Sequence, residues 1–513
     1  MAKILFINPN KWGRGITAIW IPAHAGLLRE KGHEVELFDA TFYTEWTVDE
    51  IGYNTQNGQY KPTDYKSHIT YNDGSVVEDL KAKVAEFKPD IIFWSAISSH
   101  IHGEGEYVNI QYGYELAELF KDDALLVTAG LQATAAPKDV LSGLSAIDIL
   151  IRGESEKALG EIADAIDAKK NSFEAINGLA INGPEEVKTT PPQPILRDLD
   201  ELPAYDYSLF EPQTFWRAYN GEVVKAVDYE MSRGCIYACE YCVETVIQSY
   251  YGFDKTTRSG AIQRAPEYLR SKSPQRIMEE MTRLHKEQGV TLFRCQDTNF
   301  LTITRSTLTE LAELMDASDL DIKLYIETRP EGINEKTIDL LKKLKVDGIG
   351  MGVELSTQDF REDKLRRFAS QDRIIKAFQV LKEAGIKRTS YNIIGLPDAD
   401  EESIKSTIEF NRLIDPDNVT VAFYSPYQGT AQQKKGNELG YFDEYEFHVD
   451  GQLRTMSHDT LVDPDTLCFY KAKFKDLVEH GLDDLEAMKA EYFREQAAQD
   501  GGVGASTPKR VSA

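Results

Sequence analysis

Over the first 165 residues the apolar positions fall in short unbroken runs, with helically spaced stretches between them. KILFIN, IIFWSAIS, ALLVTAG and IDILIRGE are too continuous for half-exposed strands and predict strands buried on both faces, and EVELFDA supplies a further short strand. AHAGLLREKGH and GYELAELFK carry a helical period, and Gly32 stands where the first helix would stop. Strands alternating with helices predict a doubly wound, Rossmann-like α/β domain over residues 1–165. Ligands of such sheets lie beyond the strand C-termini, which here means NPNKWGRG, SAISSHIHGEG, AGLQATAAP and RGESE.

Residues 166–222 lose this rhythm and, being rich in proline and acidic residues, predict a connector. A second series begins at 223, with strands in VVKAVDYEMSRG, VTLFRCQDTN, IKLYIETRP, DGIGMGVELS, IKRTSYNIIGLP and NVTVAFYSPYQG. Helical stretches such as SPQRIMEEMTRLHKEQG separate them. Six such units predict a partial (βα)6 barrel over 223–430, its reactive face at the strand C-termini. Residues 431–490 read as a mostly helical cap over one barrel mouth, and 491–513 as a disordered tail.

Composition narrows the function. With 42% hydrophobic and 28% charged residues, the 513-residue chain is an ordinary globular protein large enough for several domains. Its 84 acidic against 58 basic side chains give a formal charge of −26, which disfavours a nucleic-acid partner. No apolar run approaches the roughly 20 residues that span a bilayer. MAKILFINPN is not a signal peptide, and five cysteines, an odd number, fit a reduced cytoplasmic protein.

Three of those cysteines, Cys235, Cys239 and Cys242, form C-x3-C-x2-C at the end of the first barrel strand. A structural zinc takes four ligands, so zinc requires Cys295 or Cys468 as well. A four-iron cluster on three thiolates leaves one iron open, which suits a catalyst. Cys295 and Cys468 otherwise read as small buried apolar residues, and His24, His33 and His285 as packing or surface residues.

This spacing, with aromatic Tyr241 before the last cysteine, resembles the signature of the radical S-adenosylmethionine (SAM) superfamily. The resemblance implies a 4Fe-4S cluster whose open iron chelates SAM and, given one electron, cleaves it to a 5′-deoxyadenosyl radical. It implies SAM contacts from Tyr241 of the cysteine motif and from Asp297, Glu327, Arg329, Glu354 and Gly395 at successive strand ends, and a flavodoxin- or ferredoxin-type electron donor. The literal Gly-Gly-Glu sometimes found after the second strand is absent. A solvated acid or a structural ion pair is the alternative for each carboxylate.

The first domain resembles that of the cobalamin-binding subgroup, through INPN, HAGLLREKGHEVELFDA, PDIIFWSAIS, VTAGLQATAAP and IRGESEKAL. Asn8, Asn10, Lys11, Ser95, Ser98, Gly130, Gln132 and Glu154 are its implied cobalamin contacts. Ala129 and Gln132 depart from the usual Gly-Gly and histidine, and no D-x-H-x-x-G offers a lower cobalt ligand. The implied activity is methylation of an unactivated carbon in a small molecule, lipid or natural-product intermediate. Alternatives are a cobalamin-free cyclase or coupling enzyme with a scaffold first domain, a tRNA-modifying methylthio transferase, and a zinc-stabilised binding module.

Overall fold

The computed structural model describes residues 1–47, 60–95, 110–170, 172–424, 427–439 and 460–500. The first sheet contains β1 (Lys3–Asn8), β2 (Glu34–Asp39), β3 (Ile91–Ser95), β4 (Leu125–Ala129), β5 (Ile149–Ile151), β6 (Leu179–Ile181) and β7 (Lys188–Thr189). Their order is β2-β1-β3-β4-β5-β6-β7, and β1 to β5 run parallel in a doubly wound arrangement. Alternate strand residues face opposite cores. Ile4, Phe6 and Phe93 pack with helices Trp20–Glu30 and Glu156–Asp167, whereas Leu5, Ile7 and Ile92 pack with helices Val76–Phe87 and Gln111–Ala117. This two-sided burial is the physical origin of the unbroken apolar runs. Gly32, at φ +83°, ends the Trp20–Glu30 helix as its position implies.

The second sheet comprises β8 (Trp216–Tyr219), β9 (Glu222–Tyr229), β12 (Leu292–Cys295), β13 (Lys323–Thr328), β14 (Val346–Glu354), β15 (Lys387–Ile394) and β16 (Asn418–Phe423). Two short strands, β10 (Ser232–Arg233) and β11 (Arg270–Ser271), pair separately. In the order β16-β15-β14-β13-β12-β9-β8, six strands run parallel and β8 adds an antiparallel hairpin to β9. This is the expected six-unit half-barrel. Its helices have clear stops: Pro274–Gln288 starts on Ser273, which accepts from the Arg276 N–H (3.2 Å), and ends at left-handed Gly289.

Three features differ from the sequence expectation. The stretch 166–222 is more than a connector, because β6, β7 and β8 lie in it. The last helix, Leu485–Asp500, continues past residue 491, where a tail was expected. Helix Pro464–His480 packs on β16 and helix Glu401–Ile414, with Leu467, Phe469 and Leu477 against Ile404, Ile408 and Phe423. It therefore covers the outside of the sheet edge rather than a mouth. No helix among the described residues is long and apolar enough to cross a membrane.

Inside the barrel, Ala226, Leu292, Tyr325, Tyr219 and Tyr60 form the floor. Gly350 of β14 makes room for the layer above. A Cβ there would stand 2.5 Å from the Tyr391 ring, and the Tyr391 hydroxyl is held by Tyr325 (2.8 Å) and Glu327 (3.0 Å). Gly350→Ala is expected to cost about 1–3 kcal/mol, the usual penalty of overpacking. The denaturant midpoint should fall at constant slope; an unchanged midpoint would mean that Tyr391 moves aside freely.

Candidate functional site

The site starts where β9 ends. Gly234, at φ +98°, takes a backbone conformation closed to most side chains and turns the chain into the thiol loop. Backbone bonds pin this loop to its surroundings: Ile236 O accepts from Ile262 N (2.7 Å), Ala238 N donates to Gly260 O (2.9 Å) and Glu240 N to Leu365 O (3.1 Å). Side chains add to this. Gln248 Nε2 donates to Cys235 O (2.9 Å) and Tyr237 O (3.0 Å), while the buried Glu244 carboxylate accepts from Cys235 N (3.2 Å) and the Tyr268 hydroxyl (2.6 Å).

Cys235 and Cys239 are buried, Cys242 is half-buried, and none is in a disulfide. Burial pushes the Cys235 thiol up to about 12, and raises Cys242 too. Among the described residues no three His, Cys, Asp or Glu side chains converge on a single-ion site. Neither further cysteine joins the trio. Cys295 belongs to the buried core outside the barrel, and Cys468 to the cluster around helix Pro464–His480. Three soft donors on one preformed loop suit an iron–sulfur cluster better than a closed four-ligand zinc site.

Two of the predicted strand-end residues, Glu354 and Arg329, gather around this loop, where Tyr241 itself lies. The Tyr241 hydroxyl donates to Glu354 Oε1 (2.9 Å), at the left-handed end of β14. Arg367, which no motif singles out, lies 3.6 Å from Glu354 and also donates to Gly352 O. Arg329 Nη1 donates to Cys239 Sγ (3.3 Å), and its Nε and Nη2 are both engaged by Glu331. A free fork for a SAM carboxylate is thus not what this geometry offers.

The remaining barrel residues are placed differently. Glu327 faces Tyr391 in the lumen. Asp297, fully buried, accepts from Ser232 Oγ and Met231 N, and its Oδ2 has no partner among the described residues. Burial raises its carboxyl to about 7 against the pull of Ser232. Gly395 has a left-handed φ of +77°.

In the first domain, Asn8 Nδ2 donates to Asp39 (3.0 Å), Asn10 Nδ2 to Arg14 O (2.9 Å), and Ser95 Oγ to Ala129 O (3.4 Å). Gln132 Oε1 accepts from Ile110 N (3.1 Å), and Gly130 has φ +129°. Lys11 lies between the Trp46 and Tyr112 rings and pairs with Glu115 (2.9 Å). Ser98, and with it His100 and His102, falls outside the described residues. Glu154 is taken up elsewhere. With Glu156 and Glu230 it surrounds Arg233, and it also pairs with Arg270, so RGESE joins the first domain to the base of the thiol loop. His24, His33 and His285 have structural partners in Ser155, Asp164 and Val290 O.

Residues 229–410, from the end of β9 through the thiol loop to helix Glu401–Ile414, match the Radical SAM superfamily. The chain carries a radical SAM domain. Among curated proteins it is 25% identical over 449 residues to the anaerobic magnesium-protoporphyrin IX monomethyl ester cyclase of Rubrivivax gelatinosus, covering 86% of this chain and 71% of that one. Two solved structures share its fold. One is the radical SAM methyltransferase TsrM of Kitasatospora setae with cobalamin and a [4Fe-4S] cluster bound (18% identity, 84% of this chain, 74% of that chain, TM-score 0.60). The other is OxsB, a cobalamin-dependent SAM radical enzyme (13% identity, 97% of this chain, 71% of that chain, TM-score 0.64). The radical SAM domain thus sits behind a doubly wound domain here, and the likeness to OxsB runs over nearly the whole chain.

Proposed function

We propose that this radical SAM enzyme is cobalamin-dependent and methylates an unactivated carbon of a small-molecule or lipid substrate. The observation that carries the reading is the juxtaposition of the thiol loop with the first domain. Leu131, just past the end of β4, packs on Val243 and Val246 beside Cys242, so both ligand-bearing strand edges meet at one place. Unpartnered polar atoms support a ligand there: Asn8 Oδ1 and the Trp12 indole N–H are buried at and just after the end of β1 and have no partner among the described residues. Fold likeness to TsrM and OxsB supports it as well.

When bound, the cluster with SAM supplies a carbon radical, and cobalamin supplies a methyl carrier. The chain's own part is to hold and orient. Cys235, Cys239 and Cys242 hold the cluster. Glu354, fixed by Tyr241 and Arg367, and the turn at Gly395 position SAM. Glu327 and Tyr391 line the lumen toward the substrate, and the aromatic floor below them, which includes Tyr325, excludes water. A flavodoxin- or ferredoxin-type protein supplies the electron.

Purification with hydroxocobalamin tests this reading. One cobalamin per chain is expected, with no histidine nitrogen splitting in the Co(II) paramagnetic spectrum. Intact SAM cleavage without retained cobalamin would instead favour a cobalamin-free cyclase or coupling enzyme.

A further inference from the structure

We propose that Arg329 tunes the reduction potential of the cluster through a hydrogen bond to Cys239 Sγ; this rests on the cluster reading above. The geometry is specific. Nη1 lies 3.3 Å from the sulfur, and the guanidinium stacks 3.7 Å above the Tyr237 ring. Its other edge is taken by Glu331, and its backbone N–H donates to Asn299 Oδ1 (3.4 Å), which also accepts from Thr328 Oγ1 (2.7 Å). Arg329 is 7% exposed, so neither water nor salt screens it strongly.

These contacts leave the side chain little freedom except to present Nη1 to the thiol. Arginine keeps its charge at any working pH. Reduction adds an electron to the cluster, and a fixed positive charge with an N–H aimed at a ligand sulfur favours the more negative state. Arg329 therefore raises the potential and eases electron entry. Glu331 acts as a positioning residue, orienting the fork and balancing part of its charge. Arg367 is close enough to Arg329 and Cys239 to reinforce the positive field.

The test uses anaerobically reconstituted full-length protein without SAM, titrated potentiometrically and followed by paramagnetic resonance. Arg329→Gln is expected to load iron as the native protein does, to titrate at lower potential and to show altered g values. Arg329→Lys, which keeps the charge but not the planar fork, should shift less in the same direction, and it carries the comparison should the Gln variant fail to load. An unchanged midpoint in a variant that loads overturns the proposal; if a separate binding measurement with SAM then shows lost affinity, Arg329 belongs to SAM instead. Failure of the native protein to load iron would instead sink the cluster reading itself.

Discussion

Replacing Cys235, Cys239 and Cys242 together by alanine is expected to take the reconstituted protein from about four irons per chain to essentially none. Its brown absorbance and its cleavage of SAM should vanish with the iron. The chain should still fold. The loop is fixed by Gln248, Glu244 and backbone bonds to Gly260, Ile262 and Leu365, none of which uses a sulfur. Cys295→Ala and Cys468→Ala should retain full iron, because both residues pack in hydrophobic clusters away from the loop. Iron and sulfide analysis beside circular dichroism reads all of these outcomes. Iron lost only on changing Cys295 or Cys468 would mean that the ligands are misassigned.

The parts of this architecture that the sequence revealed are those with a local signature. Continuous apolar runs marked the central strands of the first sheet, because burial on both faces leaves no polar alternation. The C-x3-C-x2-C spacing marked the thiol loop, since all three donors lie within one short segment. What stayed hidden depends on long-range pairing. Arg367 reaches Glu354 and Tyr241 from a loop that no motif flags. Likewise, nothing in IETRPEG says that the Arg329 fork is occupied by Glu331 only two residues on. The connector strands β6 and β7 were missed because they are two or three residues long and antiparallel at a sheet edge. The resemblance makes Glu154 a cobalamin contact, yet its partners Arg233 and Arg270 lie in the other half of the chain.

That pairing leads to the second large expected effect. Arg233→Met should destabilise the protein by about 3–5 kcal/mol near neutral pH, the usual cost of removing one member of a buried ion network. Arg233 is fully buried, 2.7 Å from Glu230, 3.4 Å from Glu154 and in contact with Glu156, and it also donates to the Tyr205 hydroxyl (3.1 Å). Methionine has similar bulk but no charge, so Glu156 and Glu230 would remain buried without their cation. Burial alone would push the Glu156 carboxyl up, but Arg233, followed by His24, brings it below the usual carboxylate range. A depressed carboxyl contributes stability above its unfolded pKa and loses it as pH falls through the folded value. Without Arg233 the same carboxyl takes up a proton more readily and sheds its uncompensated charge. The gap between native and variant proteins should therefore narrow as the pH drops through the acid range. Adding Glu156→Gln to Arg233→Met should recover part of the loss, since the stranded charge is the main cost. Arg233 stands two residues before Cys235, so the single variant should also load less iron than the native protein. Denaturant midpoints across the pH range, with iron content, decide the matter. A stability loss below about 1 kcal/mol, or a gap that stays constant with pH, would show that the network does not hold the first domain to the thiol loop.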